Sequence, residues 1–491
     1  MDGSPASQPP LHELPDHRDL DPADWEDARA LGHRMVDDMI DHLRDLRQNP
    51  AWRKMPPEVR ADLQHPYPAT PTDANEIYND IRNLVTPYVT GNTHPRFMGW
   101  VHGGGNVMGM LADMIAAALN PNVGGRDHSA VAIERQVVEW SAQMVGLPQS
   151  SSGVLVAGSS MANFIALTVA RTAALGPDVR RAGVGAHGLI GYASEAAHSC
   201  LPRAMDHAGL GSDALRAVPT DAACRMDLTA LREMVAADRA LGLKPFMVTG
   251  TAGTVSTGAV DDLAALADFC RAERLCFHVD AAFGAFGMLS PRLRPMLTGL
   301  EQADSVAFDF HKWGQVPYDA GIVLVRDPAL HLAAFDHAAD YLRREKRGLA
   351  TGELWPCDLG PDLSRGFRAL KVWTTLRTYG TDALGRVAEQ ACAIAQTLGA
   401  TIAADPVLEL LAPVGLNIVC FRVRAEPAIV DHLNADILAD IQEAGLAVPS
   451  STLIDGKFAI RAAIVNHRTR LSDALAMLDA VRAAAAKRLV A

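Results

Sequence analysis

No two of the seven cysteines, at 200, 224, 270, 276, 357, 392 and 420, form a Cys-x-x-Cys pair, and their number is odd. That spacing argues against a disulfide framework or a thiolate zinc site and fits free thiols in a reducing compartment. The chain also lacks positive charge. Its 45 Lys and Arg stand against 57 Asp and Glu, for a net charge of -12. A nucleic-acid partner or an anionic membrane surface is disfavoured, and solubility is the simple reading of the charge. No apolar run is long enough to span a bilayer; the longest, residues 107–119, is interrupted by Asp113. Residues 1–15 are polar, Pro-rich and acidic, without the basic start and apolar core of a signal peptide. A cytoplasmic protein is expected, with no metal site and no nucleic-acid or membrane partner.

What is present reads as an ordinary globular chain. Of 491 residues, 49% are hydrophobic and 21% charged, which gives room for one large domain with smaller additions. Residues 1–20 read as a flexible tail. From Pro22 to about Arg47, the apolar residues Trp25, Ala28, Met35, Val36, Met39, Ile40 and Leu43 recur at helical spacing. Asp21 is the expected cap and Pro22 the first helical residue. A Pro-rich linker (49–72) and a second predicted helix (73–87) follow. Residues 21–92 therefore form a helical arm whose stripe must be buried elsewhere, on a partner subunit.

Residues 93–379 change pattern. Short apolar strands are predicted at 153–157, 189–192, 246–249, 276–279, 305–308 and 321–325, with helices at 161–175 and 196–208. Residues 380–491 begin again with a long helix, alternating stretches at 416–423 and 457–463, and a last helix from Leu471, and read as a small C-terminal α/β domain. Strand–helix alternation predicts an α/β fold with a mostly parallel central sheet and helices on both faces. Ligands in such sheets sit beyond the carboxyl ends of the strands.

The chemistry concentrates at those ends. Asp309-Phe310-His311-Lys312-Trp313 follows an apolar strand and lies downstream of His278-Val279-Asp280-Ala281-Ala282. A lysine amine can bond to an aldehyde, and an aspartate at a strand end can keep a pyridine nitrogen protonated, making the ring an electron sink. The pair points to pyridoxal 5'-phosphate (PLP). Ala157-Gly158-Ser159-Ser160-Met161-Ala162-Asn163 joins a strand to a helix and offers hydroxyls, free N–H groups and a helix N-terminus to a phosphate. Small residues after Asp280 leave room for a flat ring, and Gly250-Thr251-Ala252-Gly253-Thr254 supplies a small polar floor. Asp261 reads as the cap of the helix that follows it.

In this order the motifs resemble the group II PLP-dependent decarboxylases, a family that includes aromatic-L-amino-acid, histidine and glutamate decarboxylases. The series runs from His94-Pro95-Arg96-Phe97 and Met110-Leu111-Ala112-Asp113-Met114 through the phosphate turn. It continues with Tyr192-Ala193-Ser194 leading to His198, the Gly-Thr segment, and the Asp280 and Lys312 motifs. Phe367-Arg368-Ala369-Leu370-Lys371-Val372-Trp373 closes it, so that about residues 21–485 are covered. The resemblance implies a fold type I homodimer with its sites at the dimer interface and an N-terminal arm around the partner. It implies Lys312 as the Schiff-base lysine, Asp280 on the pyridine nitrogen, Ala282 beneath the ring and His198 stacked above it. Ser159, Ser160, Asp309 and His311 would lie near the phosphate, and Thr251 near the ring hydroxyl. Tyr341, in a polar stretch ending near Gly352, would protonate the α-carbon after carbon dioxide leaves; phenylalanine there marks some plant aldehyde synthases.

The substrate pocket departs from the family pattern. Asn120-Pro121-Asn122-Val123-Gly124-Gly125-Arg126 stands where aromatic decarboxylases carry aromatic and branched apolar residues. Trp100 and His102, followed by Gly103-Gly104-Gly105, replace other parts of that wall. Trp100, His102, Asn120, Asn122 and Arg126 are therefore the candidate pocket, with aromatic and polar or acidic substrates both open. The expected reaction is α-decarboxylation of an L-amino acid to the amine. Decarboxylation-coupled oxidative deamination and transamination are the alternatives on this scaffold. Intact Lys312, Asp280, His198 and Tyr341 argue against a non-enzymatic binding protein.

Overall fold

Runs of Val, Ile, Leu, Phe and Ala bounded by Gly, Pro and Asp form most of the strands of this chain. A computed structural model describes residues 19–336, 343–352 and 354–490. The first eight strands are β1 (Phe97–Met98), β2 (Ser152–Val156), β3 (Leu189–Ser194), β4 (Leu215–Val218), β5 (Lys244–Thr251), β6 (Cys276–Asp280), β7 (Ser305–Asp309) and β8 (Gly321–Val325). β2 to β8 make one sheet in the order β2-β8-β7-β6-β5-β3-β4. β3 to β7 pair in parallel, while β8 runs antiparallel to both β7 and β2. The chain between Asp309 and Gly321 holds no helix and cannot make a parallel crossover, so β8 folds straight back. Every residue of β2, β7 and β8 is buried, as expected of strands covered on both faces.

A second sheet is built from β9 (Leu408–Leu410), β10 (Ile418–Val423), β11 (Val448–Ile454) and β12 (Lys457–Ala463), with β1 at its edge, in the order β1-β11-β12-β10-β9. β1 pairs in parallel with β11, Phe97 opposite Val448. The segment after residue 93 thus contributes to the small sheet before entering the large one. Helix Arg368–Ala403 links the two and is broken at Gly380, whose φ of 74° and ψ of 158° interrupt the helical backbone. That break lies beside the 379/380 division expected from the sequence.

Three local boundaries differ from the sequence reading. The arm helix is Trp25–Arg44, capped by Asp24, whose side chain accepts the Glu26 and Asp27 N–H groups; Asp21 and Pro22 precede it. The helix after the phosphate turn starts at Ser159, before Met161. The helix expected from Ala196 starts at Cys200, because Ser194 accepts the Ala196 and Ala197 N–H groups and holds a turn there. Helix Trp25–Arg44 buries none of its residues, and Trp25 is 63% exposed. All seven cysteines are free thiols. Among the described residues no helix is long and apolar enough to cross a membrane.

Candidate active site

The carboxyl ends of β2, β5, β6 and β7 open into one cavity of about 560 Å³. Ser159, Ser160, His198, Thr251, Asp280, Ala282, Asp309, His311 and Lys312 all line it, together with Trp100 and His102. The sequence motifs, spread over two hundred residues, meet here because parallel strands deliver their following loops to one edge.

Asp309, the last residue of β7, joins the phosphate turn to the lysine. Its Oδ1 accepts the Ser159 backbone N–H at 2.7 Å. Its Oδ2 lies 2.9 Å from Lys312 Nζ and 3.7 Å from His311 Nε2. Burial alone would lower the Lys312 pKa; the Asp309 carboxylate more than offsets it, and the amine is raised. His311 Nδ1 accepts the Ala320 N–H at 3.1 Å, so the neutral ring carries its proton on Nε2, toward Asp309. Burial lowers the His311 pKa.

The Gly103-Gly104-Gly105 run has a steric reason. Gly103 N–H donates to the His311 carbonyl at 3.1 Å. A Cβ at Gly103 would stand 2.4 Å from that oxygen and 2.5 Å from the Lys312 carbonyl. The backbone can pass this close to the lysine turn only without a side chain.

Asp280 ends β6 and is 3% exposed. Its Oδ1 accepts the Ala282 N–H at 3.1 Å, and its Oδ2 accepts from Asn163 Nδ2 at 3.0 Å. Burial raises its pKa; the Lys312 charge and the Asn163 hydrogen bond oppose that rise. His198 accepts the Cys200 N–H on Nδ1 at 3.1 Å, which fixes its ring in the cavity wall.

Two buried hydroxyls in this wall, Ser159 Oγ and Thr251 Oγ1, have no hydrogen-bond partner among the described residues. Buried polar atoms are rarely left so, and both residues line the cavity. The Thr251 N–H donates to Asp261 Oδ2 at 2.8 Å, and Asp261 Oδ1 accepts the Met226 N–H at 2.7 Å. Asp261 is thus a buried brace, with its pKa raised by burial to about 6. The helix cap expected of it belongs to Asp262, which accepts the Ala265 N–H.

The outer wall is aromatic. The His102 ring stacks on Trp100 at 5.8 Å and on Phe97 at 5.9 Å, and meets Tyr318 edge-on at 5.8 Å. Tyr318 in turn packs on His311 at 4.2 Å. Burial, reinforced by the Lys312 charge, lowers the His102 pKa. Cys200, Val255, Phe283 and Tyr318 also line the cavity, as does Met161 of the turn before Asn163; the first four were not singled out for this role from the sequence. Tyr318 follows Lys312 closely and was the readable one.

Asn120, Asn122 and Arg126 line no part of their own chain's cavity. Asn120 is the left-handed residue that ends helix Val107–Leu119, with φ of 43°. Asn122 Oδ1 accepts the Gly124 and Arg365 N–H groups at 2.9 and 3.0 Å. The Arg126 guanidinium lies 4.3 Å from the Trp355 ring centroid. Tyr341 lies outside the described residues. Among the described residues, no group of three or more His, Cys, Asp or Glu could hold a metal ion.

The sequence profile of the pyridoxal-dependent decarboxylase conserved domain matches residues 56–424. The chain belongs to this decarboxylase family. It is 33% identical over 467 residues to the aromatic-L-amino-acid decarboxylase of Bacillus atrophaeus, covering 94% of this chain and 96% of that one. It is 30% identical over 461 residues to the phenylacetaldehyde synthase of Arabidopsis thaliana, covering 91% and 93%. The crystal structure of Oryza sativa TDC with PLP and tryptamine superposes with a TM-score of 0.86 at 26% identity, over 96% of this chain and 100% of that one. The decarboxylase is therefore a fold type I enzyme, a carboxy-lyase, and pyridoxal 5'-phosphate is its cofactor. Its cavity fits that group: a lysine amine, a buried carboxylate and two unpartnered hydroxyls face the same space.

Proposed function

We propose that this decarboxylase removes the α-carboxylate of an aromatic L-amino acid, releasing carbon dioxide and the amine, with Lys312 joined to the cofactor as a Schiff base. The observation that carries the reading is the cavity itself. Lys312 and Asp280 face it beside an outer wall of Trp100, His102, Phe283 and Tyr318. Among the described residues that line it, Lys312 is the sole lysine or arginine. Once that amine is committed to the cofactor, an acidic substrate side chain meets no lysine or arginine among the described residues lining this cavity. Arg126 and His102 are the two candidates to read such a group: Arg126 packs on Trp355 instead, and His102, which does line the cavity, has its pKa lowered by burial. An aromatic side chain finds ring faces and edges, a favourable contact beyond the area it buries.

The remaining roles follow from chemistry. When bound, the cofactor supplies a ring that accepts the electron pair of the breaking Cα–carboxylate bond. Asp280 holds the proton on the ring nitrogen, in a buried setting where such a charge pair is strong. Ala282 and His198 would hold the ring between them, and Thr251 would bond its hydroxyl. Ser159 Oγ, Ser160 and His311 take the phosphate, while Asp309 fixes the turn that carries them. Tyr341 delivers the proton to the α-carbon. The enzyme is a homodimer: the arm exposes Trp25, Ile40, Ile77, Ile81 and Val85, apolar surface that a second subunit would cover. Free thiols fit a cytoplasmic setting.

The similarity to an aldehyde synthase favours one second reading, decarboxylation coupled to oxidative deamination, which would consume dioxygen and water and yield aldehyde, ammonia, carbon dioxide and hydrogen peroxide. The Schiff-base assignment is tested by reducing the PLP-loaded protein with borohydride and digesting it. The adduct mass should fall on the peptide containing Lys312 and vanish in Lys312→Ala. An adduct on another lysine, or none, overturns it.

A further inference from the structure

Asn163 is the fifth residue of helix Ser159–Leu175 and is wholly buried. Its Nδ2 donates to Asp280 Oδ2 at 3.0 Å and to Cys200 Sγ at 3.2 Å. Its Oδ1 lies 2.7 Å from His278 Nε2, and His278 Nδ1 lies 2.9 Å from Ser305 Oγ. The sequence explains the line-up. His278 and Asp280 are two apart on β6 and so share a face, Ser305 is the register partner of His278 on β7, and the helix packs over that face.

The directions of these bonds are fixed by the carboxylate. An ionised Asp280 can only accept, so the Asn163 amide must present its nitrogen there and its oxygen to His278. His278 must then carry its proton on Nε2. Burial holds its pKa near 4, so the ring is neutral; with the proton on Nε2, its Nδ1 accepts from the Ser305 hydroxyl at 2.9 Å and cannot donate to the Ser305 carbonyl 3.2 Å away. Ser305, His278 and Asn163 thus each pass one hydrogen bond on toward Asp280, while the second Asn163 N–H goes to Cys200 Sγ.

We propose that Asn163 is a positioning residue for Asp280, oriented by His278 and Ser305, and that this directed chain keeps the carboxylate ionised and aimed. Desolvation pushes a buried aspartate toward its neutral form, which could not hold a ring-nitrogen proton. The inference rests on the reading of Asp280 as the partner of that nitrogen.

The test uses apoprotein titrated with PLP, the visible absorbance of the holoenzyme, and separate kcat and KM values. Asn163→Leu should weaken PLP binding by roughly ten- to a hundredfold, the range for loss of a hydrogen bond to a charged group, and should change the absorbance. kcat should fall by a similar factor, with KM moving less than about threefold. His278→Phe should act in the same direction, and His278→Gln, which restores a donor, should recover at least half of the loss on a logarithmic scale. PLP affinity and absorbance unchanged in Asn163→Leu would overturn the proposal. Where Asn163→Leu fails to fold, equal behaviour of His278→Phe and His278→Gln would do so. Asp280→Asn in the same assays separates the two claims. If it leaves affinity and absorbance unchanged, the reading of Asp280 fails; if it alone disturbs them, only the role of Asn163 fails.

Discussion

Replacing Asp280 by Asn removes one negative charge from a site that is 3% exposed while keeping nearly the same volume. The size of the effect follows from that burial. Opposite charges about 4 Å apart are worth about 4 kcal/mol at an effective dielectric constant near 20, against about 1 kcal/mol in water. Each 1.4 kcal/mol or so is a factor of ten in rate, so losing this pair should lower kcat by about a thousandfold. The charge is needed most as the Cα–carboxylate bond breaks and electrons move toward the ring, so KM should change far less. The assay is the initial rate of carbon dioxide release at saturating aromatic amino acid, with cofactor occupancy read from visible absorbance. A fully loaded Asp280→Asn enzyme with kcat within about fivefold of wild type would refute the reasoning, and the ring nitrogen would have another partner.

Gly103→Ala should lower Tm by several degrees and reduce PLP occupancy, since its Cβ would meet the His311 and Lys312 carbonyls at 2.4 and 2.5 Å and overpacking costs about 1–3 kcal/mol; unchanged Tm and occupancy would contradict this. Tyr341→Phe should suppress amine formation and raise aldehyde output, measured as the product ratio by mass spectrometry; an unchanged ratio would remove Tyr341 as the acid. Stability should fall as pH drops from about 6.5 toward 4. Burial holds His278 and His331 near 4 in the folded chain, while in the unfolded chain they titrate near 6.5. The unfolded state therefore takes up protons first, at a cost on the order of 3 kcal/mol per group by pH 4. Asp261, raised to about 6, offsets part of this because the native state binds its proton first. Urea midpoints at pH 7 and pH 5 check the balance, and an equal or higher midpoint at pH 5 would contradict it.

The parts of the site that could be read from the sequence are those carried by strand ends. Lys312, Asp280, Thr251 and the Ser159 turn each follow an apolar run, and a mostly parallel sheet brings such ends together whatever lies between them. The parts that could not be read depend on which faces pack. Asn163 looks like any polar residue near a helix start, and only the lie of that helix over β6 turns it toward Asp280 and His278. Arg126 and Trp355 are far apart in sequence, so nothing local shows that the cation is held on an indole and away from the cavity. Asp261 and Asp262 are adjacent acids before one helix, and the bridge between Ala252 and Val260 decides which is buried and which caps. The reversal of β8 was not expected from the sequence; the short link after Asp309, which holds no helix, accounts for it, since a parallel return needs a crossover.

The most direct test of the central claim is an incubation of PLP-loaded protein with a panel of L-amino acids. Amine, aldehyde, ammonia and carbon dioxide are then quantified together. The account predicts one amine per carbon dioxide from aromatic substrates and little turnover of acidic ones. Aldehyde with ammonia as the main products, or turnover confined to acidic amino acids, would contradict it.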